Sequence, residues 1–149
     1  MIRLPDWEAR LGAYMEPLRA LAFAWGEHDC CTFAAGAVAA MTGVETMDEF
    51  RGRYTTRRGA VTALRRYGAG TLADTMAAKF AAIPPAQAQR GDLVMIAGNL
   101  AVNMGRFAVT PGVAAPGTAD ERAGLIRLPR GDNWTHAWAV PFAGEQRHG

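Results

Sequence analysis

The chain has 149 residues, 16 lysines and arginines against 14 aspartates and glutamates, and a formal net charge of +2; half of its residues are hydrophobic. A chain this long buries roughly 68–70% of its unfolded surface as one domain, so a core needs no disulfide or metal staple. Near-neutral charge argues against a chain basic throughout, and no apolar run reaches the roughly 18 residues of a membrane span. The opening Met1-Ile2-Arg3-Leu4-Pro5-Asp6 lacks the apolar segment of a signal peptide.

Asp6 is expected to cap a first helix whose apolar positions Trp7, Leu11, Tyr14, Leu18 and Leu21 share one face. Pro17 predicts a kink or two short helices. Residues 23–33 then read Phe-Ala-Trp-Gly-Glu-His-Asp-Cys-Cys-Thr-Phe and run into an Ala-rich stretch. A helix is predicted from about Cys30 to Met41, with Asp29 as cap and Gly43 as stop. Its alanines make it slim, so neighbours can approach closely and it should be central. Asp48-Glu49-Phe50 suggests a short helical turn. Further helices are predicted from about Gly59 to Tyr67 and from Leu72 to Phe80, the latter capped by Thr71.

Ile83-Pro84-Pro85 closes the helical part. Strands are predicted at Asp92–Ile96, Leu100–Met104, Phe107–Val109, Leu125–Leu128 and His136–Val140. Residues 111–123 have no apolar period and read as a long loop, a natural docking surface. The tail after Phe142 is expected to fray. The expected fold class is α+β: one domain over residues 1–149, with N-terminal helices packed on a small C-terminal antiparallel sheet.

The adjacent Cys30 and Cys31 give no disulfide framework, which suits a reducing compartment. Their spacing is not that of a zinc site, and no metal or cofactor is expected. Arg51, Arg53, Arg57, Arg58, Arg65 and Arg66 cluster. They are read first as a solvated helix face and second as a docking surface; nucleic acid is not expected as a partner. Trp134, in a polar loop, is the candidate interface anchor.

Cys30 stands at the first turn of its helix, where unpaired N–H groups and the helix dipole favour a thiolate. Trp25-Gly26 followed by Asp29-Cys30, and later Arg90-Gly91-Asp92-Leu93-Val94, resembles the NlpC/P60 cysteine peptidases, a papain-like family. More narrowly, Arg51-Gly52-Arg53-Tyr54 and Ala137-Trp138 make the chain similar to short NlpC/P60-like proteins in the tail tips of siphophages and gene transfer agents. The resemblance spans roughly residues 20–140. It implies a tail-tip (baseplate) component made in the bacterial cytoplasm, carried in the virion, and bound to tail hub and distal-tail proteins.

The resemblance also implies Cys30 as nucleophile, Asp29 as a motif residue and a His on the strand after Gly-Asp-Leu. That strand, Asn99 to Gly105, contains no His, and amides such as Asn99 and Asn103 cannot serve as bases. The candidate bases are therefore His136, oriented by Asn133 or Asp132, then His28, then His148. The favoured expectation is a structural module with a degenerate site. The alternative is an active peptidase that cuts peptidoglycan cross-peptides during cell-wall penetration.

Overall fold

The computed structural model describes residues 1–143; His148 and the last residues of the tail lie outside them. The described residues form four α-helices, α1 (Trp7–Met15), α2 (Cys30–Thr42), α3 (Arg57–Tyr67) and α4 (Leu72–Lys79), and six strands. The strands are β1 (Ala82–Ile83), β2 (Leu93–Ile96), β3 (Asn99–Asn103), β4 (Phe107–Ala114), β5 (Arg122–Pro129) and β6 (Trp134–Trp138). They make one antiparallel sheet in the order β1-β6-β2-β3-β4-β5. The fold is α+β. Among the described residues no helix is long and apolar enough to cross a membrane.

Helix α1 stops at Met15 and a 3-10 turn, Glu16–Leu18, carries the chain past Pro17. Two expectations for this segment are corrected. Asp6 makes no cap bond; its carboxylate accepts from Arg10 Nε at 2.7 Å instead. Leu21, assigned to the apolar face, is 47% exposed because the helix has already ended.

Helix α2 is central. It begins at Cys30, ends with Gly43 at φ +79°, and buries Phe33, Ala34, Ala35, Ala37, Val38 and Met41. It packs against α1, β3 and β4. The absence of a side chain at Gly36 lets Tyr14 lie against the helix, where its hydroxyl donates to the Phe33 carbonyl at 2.9 Å. Helix α3 starts two residues earlier than expected, because Thr56 accepts from the Gly59 N–H. The segment 48–50 forms hydrogen-bonded turns rather than helix.

The sheet is apolar on both faces. Leu93, Met95, Leu100, Val102, Val109 and Trp138 join the helices in the main cluster. Val94, Ile96, Ala101, Ala108, Trp134 and Ala137 form a second cluster on the other face. A bulge between β2 and β6 explains how Trp134 and Trp138 reach opposite faces: Met95 pairs with His136, but Ile96 pairs with Trp134, so Thr135 is the extra residue. Trp134 is therefore not an exposed anchor. It is 4% exposed, and its Nε1–H donates to Pro129 O at 3.1 Å.

The long loop expected over 111–123 shrinks to 115–121. Strands β4 and β5 pair from Phe107↔Pro129 to Ala114↔Arg122, with Pro111 opposite Leu125. Strand β3 pairs with β4 only at Ala108 and Val109. Pro111 lies beyond that pairing, where β4 has one neighbour and a missing N–H is tolerated.

Candidate functional site

The first turn of α2 is built around Asp29, which is 1% exposed. Its Oδ1 accepts the Thr32 N–H at 2.9 Å, and the Thr32 hydroxyl accepts the Asp29 N–H at 2.9 Å, a reciprocal capping box. Its Oδ2 accepts the Gly26 N–H at 2.8 Å and the Tyr54 hydroxyl at 2.5 Å. Gly26 has φ +79°, and a Cβ there would stand 2.1 Å from the Tyr54 carbonyl. The Gly52 N–H closes the arrangement on the Gly26 carbonyl at 2.9 Å. Trp25-Gly26, Asp29 and Arg51-Gly52-Arg53-Tyr54 are thus parts of one fastening. Burial first, and then the bond to Asp29, push the Tyr54 hydroxyl pKa far up, so it stays a donor.

Cys30 and Cys31 are both half-buried, with their sulfurs 3.9 Å apart. The hydrogen bond from the Cys31 thiol lowers the Cys30 pKa below the ordinary thiol range; the Leu100 backbone adds to this, while burial and the Asp29 charge oppose it. Cys31 is pushed well above that range by the same hydrogen bond and by burial. The negative charge of Asp29 therefore works against a thiolate at both sulfurs. What favours one at Cys30 is first its neighbour's S–H and then the Leu100 and Cys31 backbone.

The imidazoles are elsewhere. His28, 6% exposed, meets the Phe33 ring edge-on at 6.2 Å, and its Nε2 has no hydrogen-bond partner. Burial lowers its pKa, against the Asp29 charge. His136 is exposed on β6, with Nδ1 2.8 Å from the Thr135 hydroxyl and its ring stacked on Trp138 at 5.7 Å. It stands in the row His136↔Met95↔Leu100 across three strands. The Leu100 backbone approaches Cys30, and Met95, Leu100 and Trp138 share the cluster against which Cys30 packs, so His136 is on the correct face but about 10 Å along the sheet, two strand spacings away. Among the described residues no imidazole hydrogen-bonds either thiol. Asn103, paired with Ala108, belongs to the opposite face. Among the described residues no group of three His, Cys, Asp or Glu could hold a metal.

The second sequence motif forms a second fastening. Asp92, 0% exposed, bonds Arg3 Nη2 at 2.9 Å, the Val140 N–H at 3.0 Å and the Gln89 N–H at 2.7 Å. Arg3 also donates to Val140 O and Arg90 O and stacks on Trp7 at 4.3 Å. This node ties the chain start to β2 and to the residues after β6. Sequence reading missed Arg3, because no local pattern marks a partner 89 residues away.

A family model described as a domain of unknown function (DUF6950) matches residues 2–140. The chain belongs to that family. No curated protein matches it. The DUF6950 match takes in both aspartate nodes, from Arg3 to Val140.

A groove of about 560 Å³ lies between α1 and the β4–β5 hairpin, lined by Met15, Arg19, Phe107, Arg122, Leu125 and Arg127 among others. Cys30 is not part of its wall. Sequence reading could not find this groove, because its walls come from segments about ninety residues apart with no shared motif.

Proposed function

We propose that the protein is a non-catalytic NlpC/P60-like module that assembles into the tip of a phage-type tail. One observation carries this reading: among the described residues no imidazole hydrogen-bonds Cys30, and β3, whose Leu100 backbone approaches that sulfur, carries no histidine to take its proton. The other motif residues serve as fastenings. Asp29 holds Gly26, Thr32 and Tyr54, and Asp92 holds Arg3. Both are ordinary requirements of a scaffold that must dock without changing shape.

Two measurements test the proposal. Immunogold labelling of the particle should place the chain at the distal end of the tail, and its absence from particles overturns the assembly role. Incubation with peptidoglycan sacculi should release no more free amines than the Cys30→Ala variant does. Release that depends on Cys30 overturns the non-catalytic half.

The lowered pKa of Cys30 favours a second reading. In it, Cys30 attacks a peptidoglycan cross-peptide amide, the first-turn N–H groups of α2 hold the oxyanion, and His136 carries the proton. It requires β6 to bring His136 past Met95. A pH profile of sacculus cleavage that changes in the His136→Gln variant would establish it.

A further inference from the structure

Residues 51–67 hold six arginines and no acid, while the rest of the chain carries fourteen acids against ten bases. A balanced total thus hides a basic face on a net acidic body. Arg51 turns back to Glu45 at 2.9 Å. Arg53, Arg57, Arg58, Arg65 and Arg66 are exposed, and among the described residues none forms an ion pair. Like charges this close repel; the C-terminal end of α3 favours Arg65 and Arg66, but among the described residues no acid pairs with any of the five. A concentration of exposed, unneutralised positive charge attracts an anionic partner.

We propose that this face of α3 docks an acidic segment of a partner protein. Arg58, Thr62 and Arg66 fall at i, i+4 and i+8, one stripe along the helix about 12 Å long. The stripe borders a hollow of about 350 Å³, also lined by Arg53, Thr56 and Tyr67. The guanidiniums of Arg53 and Arg66 lie over the Tyr67 ring, at 5.3 and 5.5 Å from its centre. Stacking restricts their motion, so less freedom is lost when each forks onto a carboxylate. Two carboxylates two helical turns apart, or about four residues apart in an extended segment, would match the stripe.

The same geometry disfavours a polynucleotide. The Tyr67 ring, though exposed, already carries two guanidiniums and meets the Phe50 ring edge-on at 6.5 Å, so a base would have to displace a guanidinium to stack on it. Helix α3 is about 16 Å long, and a duplex running past it would cross the net acidic remainder of the molecule. This proposal stands independently of the tail-tip reading.

The test is fluorescence anisotropy of the full chain with a labelled octaglutamate peptide, and with single-stranded and duplex DNA of about 20 nucleotides, at about 50 and about 200 mM salt. Octaglutamate should bind with salt-sensitive affinity. The Arg58→Glu/Arg66→Glu variant should bind it at least about tenfold more weakly, and Arg122→Glu, an unpaired arginine elsewhere, within about twofold of the unaltered chain. The Arg58→Gln/Arg66→Gln variant, which only removes charge, should fall between. Unchanged affinity in both α3 variants, each with an unaltered thermal melt, overturns the proposal. So does tighter binding of either DNA than of octaglutamate, which would assign the face to nucleic acid.

Discussion

Asp29 and Asp92 are both buried carboxylates at the start of a sequence motif, yet they are balanced in different ways. Asp92 faces a cation: Arg3, itself 4% exposed, with two backbone N–H groups in support. Asp29 is held by neutral donors, two backbone N–H groups and the Tyr54 hydroxyl, at the positive end of α2. The difference follows from what each node joins. Asp92 fastens elements far apart in the chain, and a long arginine reaches them. Asp29 fastens a loop, a turn and a helix start already crowded together, where dipoles suffice. A consequence is that a negative charge sits beside the two thiols with no ion-pair partner among the described residues. This is the reverse of the electropositive setting that activates a cysteine.

The comparison is most strongly tested by removing one partner of the ion pair. Asp92→Ala takes the carboxylate from the buried Arg3 guanidinium and the acceptor from the Val140 and Gln89 N–H groups, and should cost about 3–5 kcal/mol in urea unfolding. An Arg3→Met/Asp92→Leu double variant should recover part of that, because the unpaired charge is gone while the Val140 and Gln89 N–H groups and the Val140 and Arg90 carbonyls still lose their partners. If the double variant is no better than the single one, the pair does not act as a unit.

The Asp29 node should be weaker. Asp29→Ala loses the cap and leaves the Gly26 and Thr32 N–H groups and the Tyr54 hydroxyl without their acceptor, at about 2–3 kcal/mol. A loss equal to that of Asp92→Ala would show that charge pairing adds nothing over dipoles here.

Tyr54→Phe removes one donor and should cost about 1–2 kcal/mol at neutral pH. Its pH signature is specific. The folded-state pKa of Tyr54 lies above the ordinary 10.0, so its contribution is fully present below about pH 10 and lost as pH rises further. Tyr14, pushed up to about 12 by burial, adds a loss between about pH 10 and 12. Tyr54→Phe should therefore flatten alkaline unfolding without abolishing it. An unchanged alkaline limb would mean that Tyr54 titrates normally.

The smallest effect on stability belongs to the thiols, and it is read in reactivity. Iodoacetamide should alkylate Cys30 with a midpoint below that of a free cysteine. Cys31→Ala should move the midpoint up, because the Cys31 S–H is the principal cause of the shift. A midpoint unmoved by Cys31→Ala would transfer the cause to the Leu100 backbone.

Much of this molecule was legible locally. The span of α2, its Asp29 cap and Gly43 stop, the Thr71 cap of α4 and the core of each longer strand follow from contacts within four residues or from alternation along one strand. The Asp29-Cys30 head of the candidate site was legible for the same reason. Asp6 failed as a cap because Arg10, one turn on, competes for its carboxylate. Pro111 misled the loop reading because a proline's effect depends on whether a neighbouring strand needs its N–H, which the chain alone does not state.

The amino-acid sequence by itself determined the α+β class, the slim central helix, the thiol pair at its start and the lack of a histidine on the strand that follows Gly91-Asp92. Only the tertiary structure decided that Arg3 closes on Asp92, that a bulge at Thr135 sends Trp134 under the sheet, and that β2 separates His136 from the strand touching Cys30. The division has a physical cause. Caps and periodicities are set by neighbours within a turn or a pleat, whereas strand order, bulges and long-range ion pairs depend on which distant surfaces bury each other best.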